Sequence, residues 1–366
     1  MIQSRVLMFV SIWSRRAFAL LLLSGLVACH RNAETAVTSL QPTTLREAAA
    51  LHHIKMGTAV HSLRLSDPEY AEVLASQFSQ LEPENEMKFA LVHPAPDRYD
   101  FQGGDALVAF AQAHNMVARG HTLVWHRQVP QWVSSSHDSP AQLADILHAH
   151  IQHEVEHYAG KVYAWDVVNE AFNDNGTMRS TVWYDLPGIG FAGEGTKYIE
   201  QALRWAHAAD PKAKLFYNDY DTEAVNAKSN AIYAMAKDFK SRHVPLDGIG
   251  FQCHVTLRFD SPETLTSFAA NLKRFADLGL QVQFTELDIR LSDATPASLA
   301  AQAKLYREIT RICVEQPRCT AIQTWGFTDK YSWVPRAFKG MGHALLWDEQ
   351  YQKKPAFDAV MNALGQ

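Results

Sequence analysis

The chain is short of three things. It has no basic stripe: 34 Lys and Arg stand against 39 Asp and Glu, for a net charge of −5 over 366 residues. That gives no reason to expect nucleic acid as a partner. It has no comfortable membrane span, because the apolar run Ala17 to Ala28 falls short of the roughly 20 residues a spanning helix needs. It is also poor in cysteine, with four. Cys313 and Cys319 flank Pro317 and could close a small loop before a strand, a pairing that suits an oxidising compartment. Cys253 lies in an apolar strand-like run and reads as a buried thiol. What the chain does have is 47% hydrophobic content, ample for a large core and unlike a disordered protein. Trp, Tyr and Phe make up 11%; such rings fill cores but also serve as stacking platforms in sugar clefts.

The N-terminus reads as a targeting segment. Arg5, Arg15 and Arg16 precede the short apolar run, the pattern of a signal h-region. Leu26-Val27-Ala28-Cys29 resembles the lipobox of bacterial lipoproteins, which implies cleavage before Cys29 and lipidation of its thiol, with simple cleavage nearby as the alternative. Ser14-Arg15-Arg16-Ala17-Phe18 also resembles a twin-arginine signal. Either route means export. The expected division is a signal peptide over 1–28, a lipid-anchor Cys29 with a polar linker over 29–44, and one folded domain over 45–366. The expected location is the cell envelope, on a membrane through the Cys29 anchor, or otherwise outside the cell.

From about Leu45 onward, apolar strand-like runs alternate with amphipathic helical stretches. The strand candidates are Ile54 to Val60, Phe78 to Leu81, Val117 to Trp125, Val162 to Val168, Lys214 to Tyr217, Ile249 to Cys253, Val282 to Phe284 and Ala321 to Thr324. Strict β-then-α alternation implies a parallel sheet with both faces covered. Eight such units suggest an α/β protein of the closed (β/α)8 TIM barrel type, with an open doubly wound sheet as the rival. In a barrel, chemistry collects at the C-terminal ends of strands. The polar clusters fall there: Glu84, Asn85 and Lys88; His121, Trp125 and His126; Asn169 and Glu170; Asn218 and Asp219; Gln252 and His254; Glu286 and Asp288; then Trp325.

Two of these ends carry the chemistry. Trp165-Asp166-Val167-Val168-Asn169-Glu170-Ala171 and Gln281-Val282-Gln283-Phe284-Thr285-Glu286-Leu287-Asp288 each finish a β-type run with a Glu. Paired carboxylates facing one cleft are what glycosidic-bond cleavage needs: one donates a proton, the other attacks or activates water.

At these residues the chain resembles glycoside hydrolase family 10, the barrel endo-β-1,4-xylanases. Pro83-Glu84-Asn85-Glu86-Met87-Lys88, Gly120-His121-Thr122-Leu123-Val124-Trp125-His126, the Trp165 to Ala171 segment, Phe216-Tyr217-Asn218-Asp219-Tyr220, Thr285-Glu286-Leu287-Asp288 and Trp325-Gly326-Phe327-Thr328-Asp329-Lys330-Tyr331-Ser332-Trp333 match its pattern in order. The resemblance implies Glu170 as acid/base and Glu286 as nucleophile of a retaining enzyme. It implies Asn169 on the sugar 2-hydroxyl, His254 holding Glu286, and Asp288 behind His254. It places Glu84, Asn85, Lys88, His121, Trp125, Gln252, Trp325 and Trp333 along the glycone side. It implies xylan or xylo-oligosaccharide as partner, no cofactor and no metal. Phe89 departs from the family's usual Trp, Val334 from a frequent Arg, and Gly188 to Gly195 lengthen a loop.

In a retaining enzyme the carboxyls lie roughly 5–5.5 Å apart, so one pKa should rise. Glu170 is expected to be the protonated partner and Glu286 the ionised one. Trp325 and Trp333 offer flat apolar faces for pyranose rings and a tryptophan N–H to spare for a hydroxyl.

Two motifs are expected to be decoys. His153-Glu154-Val155-Glu156-His157 has the H-E-x-x-H zinc spacing, but on a helix whose C-terminal end lies at the barrel's bottom face. Gly188-Ile189-Gly190-Phe191-Ala192-Gly193 has the dinucleotide spacing but follows a polar loop, and reads as a flexible loop at the cleft rim. The rival functions are a β-1,4-glucanase or cellulase-like activity on the same scaffold, and a non-catalytic surface glycan-binding lipoprotein, which would be expected to have lost a carboxylate.

Overall fold

The structure, a computed structural model, describes residues 41–365. The expectations for the signal segment, for Cys29 and for the linker up to residue 40 lie outside the described residues. Eight parallel strands form the barrel: β1 (Lys55–Val60), β2 (Gln80–Pro83), β3 (Val117–Val124), β4 (Val162–Asn169), β5 (Lys214–Asp219), β6 (Gly248–Phe251), β7 (Gln281–Arg290) and β8 (Cys319–Thr324). β1 pairs with both β2 and β8, and β6 pairs with β7, so the sheet closes and the open-sheet rival is excluded. Past β6, a three-residue stretch, His254–Thr256, pairs with the upper end of β7 through His254 and Asp288.

The long helices are α1 (Leu45–Ala50), α2 (Pro68–Gln77), α3 (Gln102–Ala113), α4 (Pro140–His157), α5 (Lys197–Ala209), α6 (Ala227–Ser241), α7 (Pro262–Asp277), α8 (Pro296–Val314) and α9 (Pro355–Leu364). Four start on the same local chemistry. Asp67, Ser139, Ser261 and Thr295 each accept backbone N–H groups of the first turn, and each is followed by Pro at the first helical position. The cap satisfies donors that the helix leaves orphaned, and Pro fixes φ where no N–H is needed.

The barrel interior is polar. Gln80, Glu82, Arg119, Asp166, Gln283 and Gln323 are all fully buried. Gln80 Nε2 donates to Gln323 Oε1 at 2.6 Å, Gln323 Nε2 to Glu82 Oε2 at 2.7 Å, and Arg119 Nη1 to Gln283 Oε1 at 2.8 Å. The Arg119 guanidinium also pairs with Glu82 at 2.9 Å and with Asp166. Glu82, His121 and Asp166 come close enough to hold a cation, and the guanidinium already supplies that charge. This bonded layer forms a stiff floor beneath the strand ends. Gly120 belongs to its packing, because a Cβ there would meet the Trp165 ring at 2.1 Å.

Both decoys are resolved. On α4, His153 Nδ1 bonds its own helix at Ala149 O, His157 Nε2 pairs with Asp105, and Glu154 turns into the core beside His150. The three side chains do not converge. The Gly188 to Gly195 segment is not at the cleft: Ile189 is buried, and Phe191 packs against the core. Cys313 and Cys319 are joined by a disulfide, and Cys253 is a buried free thiol.

Candidate active site

A cleft of about 810 Å³ opens at the C-terminal ends of the strands. Glu84, Asn85, Lys88, His121, Trp125, Asn169, Glu170, Gln252, His254, Glu286, Trp325 and Trp333 all line it, whereas Asn218 and Asp219 are buried and His126 stands 3.9 Å from Glu170 without lining the cleft. Asp288 stands one layer back. Arg127, Tyr220, Asp221, Arg290, Arg336 and Phe338 also line the cleft and had no role in the sequence reading.

The two carboxylates differ in their partners. Glu170 Oε2 accepts from Trp125 Nε1 at 2.8 Å, and its Oε1 accepts from Gln252 Nε2 at 3.1 Å and Asn169 Nδ2 at 3.3 Å. Glu286 Oε1 accepts from Asn218 Nδ2 at 2.8 Å, while Oε2 lies 3.0 Å from His254 Nε2. Between the carboxylates, Asn169 Oδ1 accepts from Asn218 at 2.9 Å and from Gln252 at 3.2 Å. Thr285 Oγ1 orients Asn218 by donating to its Oδ1 at 2.6 Å. One amide chain therefore connects both groups and fixes their relative position. Glycine at Gly250 makes room for it, since a Cβ would lie 2.3 Å from Asn218 Oδ1.

The backbone aims these side chains. Glu170 has φ 58° and Cys253 φ 62°, a left-handed conformation that costs a non-glycine residue energy. At Glu170 it turns the side chain from the barrel wall into the cleft. The Glu170 N–H is held by Asn218 O at 2.9 Å, and the Glu286 N–H by Gln252 O at 3.0 Å.

Charge follows the same geometry. Burial disfavours the His254 cation, but Asp288 at 2.7 Å and Glu286 on its other nitrogen push its pKa up to about 10. Burial raises the Glu170 pKa, yet the Trp125 and Gln252 donors and the charges of His126 and Arg127 outweigh it, and the carboxyl lies below its ordinary range. That corrects the expected upward shift: N–H groups aimed at both oxygens favour the charged form more than burial penalises it. Burial also lowers the Lys88 pKa and raises that of Glu84. The Trp333 N–H differs from expectation too. It donates to Asp288 at 2.8 Å and is not spare for a sugar hydroxyl, just as the Trp125 N–H is taken by Glu170.

The departures from the family pattern point away from the chemistry. Phe89 is buried against His150 at a 3.7 Å ring separation, and Val334 packs with Ala344 and Leu345. Trp183 and Trp347 are core residues, Trp183 donating to the Trp125 carbonyl at 2.9 Å.

Because the His254 pKa is raised above its ordinary 6.5, the stability it contributes is fully present below pH 6.5 and is lost as pH rises through about 10. Asp288→Asn removes the stronger partner. Thermal unfolding should show the variant destabilised by on the order of a few kcal/mol near pH 6, with the gap to wild type closing toward pH 10. A gap that stays constant over that range would show that His254 ionisation is not its source.

Known proteins resemble this chain in sequence and fold. Residues 44–363 match the family described as Glycosyl hydrolase family 10. The chain is 45% identical over 325 residues to endo-1,4-beta-xylanase B of Thermotoga neapolitana, covering 87% of this chain and 91% of that protein. It is 42% identical over 321 residues to endo-1,4-beta-xylanase C of Phanerodontia chrysosporium, covering 87% and 77%. The crystal structure of xylanase 10B from Thermotoga petrophila with xylobiose superposes with a TM-score of 0.84 at 46% identity, over 89% of this chain and 98% of that one.

Proposed function

The chain belongs to glycosyl hydrolase family 10, and we infer from its cleft that it hydrolyses internal β-1,4 bonds of xylan as a retaining endo-β-1,4-xylanase. The observation that carries this reading is the pair Glu170 and Glu286 facing one cleft and connected through Asn169, Asn218 and Gln252, in a chain related along nearly its whole folded length to xylanases. The glucanase alternative finds no counterpart among these relatives. The non-catalytic alternative required a lost carboxylate, and both are present.

In the proposed mechanism, Glu286 attacks the anomeric carbon while Glu170 gives a proton to the departing oxygen. The C–O bond to the leaving sugar breaks and an ester to Glu286 forms. His254, held cationic by Asp288, fixes the attacking carboxylate in place. Glu170 is ionised more readily than an ordinary Glu in this structure, and substrate reverses that balance. A sugar filling the cleft deepens burial, already the largest influence on Glu170 and an upward one. Esterifying Glu286 removes its charge, the Glu170 pKa falls again, and Glu170 takes a proton from water in the second step. Asn169 can bond the 2-hydroxyl, and only contacts that strengthen toward the transition state raise the rate.

Proton NMR during early hydrolysis of xylo-oligosaccharides tests this directly. The first products should carry β-anomeric reducing ends that mutarotate later; initial α-anomer would refute Glu286 as nucleophile. We further propose that the protein works at the cell envelope through a lipidated Cys29. That reading is supported by the Leu26 to Cys29 sequence and tested by fatty-acid labelling of wild type against Cys29→Ser.

A further inference from the structure

Arg179 took no part in the sequence reading, yet it meets the reacting group through its backbone. It lies on the return arm of the loop after β4, where Phe172 pairs with Met178 and the Arg179 N–H donates to Ala171 O at 2.8 Å. Its guanidinium reaches acceptors on three residues. Nε donates to the Glu170 carbonyl at 3.0 Å, and Nη2 donates to the Phe172 carbonyl at 3.1 Å and to the Tyr220 hydroxyl at 2.9 Å.

The first contact controls the carboxyl. The peptide plane between Glu170 and Ala171 is gripped at both edges: Arg179 holds its carbonyl, and its N–H donates to the Tyr217 hydroxyl at 2.9 Å. Glu170 sits at φ 58°, where nothing intrinsic holds the backbone. Gripping that plane fixes the direction of the Glu170 side chain, and proton donors lose rate steeply when misplaced by an ångström.

The third contact controls a cleft ring. Tyr220 follows β5, in the same cleft as Glu170 and across the barrel from Glu84 and Asn85, which follow β2; that puts it on the side of the departing sugar. One face of the ring rests on the buried Lys228 ammonium, 3.4 Å from the centroid, itself held by Asp219 at 2.8 Å. With Arg179 bonded to its oxygen, the phenol keeps its own O–H free to donate into the cleft.

We propose that Arg179 is a positioning residue that couples the proton donor Glu170 to Tyr220 beneath the leaving sugar. This rests on the reading of Glu170 as acid/base. A planar fork suits the task, whereas a lysine ammonium cannot span the same three acceptors in fixed directions.

The test uses the full chain with Arg179→Ala, Arg179→Lys, Tyr220→Phe and the two double variants. Each is assayed for kcat/KM on xylan and on 2,4-dinitrophenyl β-xylobioside, whose leaving group needs no proton. Arg179→Ala should lower kcat/KM on xylan by about 30-fold or more and on the aryl glycoside by less than about threefold. Arg179→Lys should recover only part of the loss. In the Tyr220→Phe background the Arg179 effect should shrink about fivefold or more, as coupled residues require. If Arg179→Ala unfolds, the lysine variant carries the same two comparisons. Equal losses on both substrates, additive effects, or full activity with lysine would each overturn the proposal. A wild-type enzyme that fails to cleave xylan would instead sink the functional reading beneath it.

Discussion

Glu286→Ala is expected to lower xylan turnover by about 10⁴-fold or more while leaving the fold intact. In the proposed mechanism the side chain is the attacking group, and nothing else in the cleft can take its place: His254 is cationic, and Asp288 lies behind it. Truncation leaves the buried Asn218 amide and the His254 ring without their shared acceptor, but His254 lines the cleft and removing the Glu286 carboxylate opens the Asn218 amide to it, so the stability change should be small. Functional sites often gain stability when a crowded charge is removed. The variant also distinguishes loss of a nucleophile from general damage. Double displacement makes an α-linked ester from a β-linked substrate, so α-xylobiosyl fluoride has the configuration of that intermediate. With the carboxylate gone, the fluoride should fit the cavity, and Glu170 can activate an incoming sugar hydroxyl as base. Transfer products from α-xylobiosyl fluoride, with xylan hydrolysis absent, are the expected pair of results. Xylan hydrolysis near wild-type rate would sink the assignment.

How much of this was legible in the sequence depended on which force set each residue. The strands could be found because their outer faces pack on helices and carry Val, Ile and Leu in short runs. Their lengths could not. β7 reads from composition as Val282 to Phe284 but extends over Gln281–Arg290, since Thr285, Glu286 and Asp288 are polar and still buried. The barrel interior hides for the same reason: Gln80, Glu82, Arg119 and Gln323 look solvent-facing until their partners arrive from other strands. Helix starts are local signals: Asp67-Pro68 announces α2 as plainly as Ser139-Pro140 announces α4.

The site was legible where chemistry demands a residue type at a strand end, as with Glu170, Glu286, Asn169 and His254. It was not legible where a residue acts through geometry. Asn218 sits inside a motif already noted, yet only the fold shows it linking both carboxylate environments. Arg179 has no sequence signal of its own beyond its distance from Glu170. The direction of the Glu170 pKa was misjudged because two neighbouring donors, Trp125 and Gln252, come from other strands.

Glu170→Ala should separate the two steps that Glu170 serves. On xylan, where the leaving group is a sugar alkoxide, loss of the proton donor should cost about 10²–10⁴-fold in kcat/KM. On 2,4-dinitrophenyl β-xylobioside the departing phenolate needs no proton, so kcat/KM should fall by less than about tenfold. The second step still needs a base toward water, so kcat on the aryl substrate should drop and the esterified enzyme accumulate, giving a burst of phenolate equal to the enzyme present. Azide carries its own negative charge and needs no base. Added azide should restore kcat and yield the β-glycosyl azide, because it attacks the α-ester from the opposite face. The Trp125 and Gln252 N–H groups that now aim at the carboxylate would instead face the entering anion. If Glu170 merely supported the fold, both substrates would lose activity together and azide would change nothing. If it acted only as a general acid, the aryl substrate would turn over without a burst. Leaving-group dependence, burst and azide rescue together are the signature of one carboxyl that gives a proton and then takes one back.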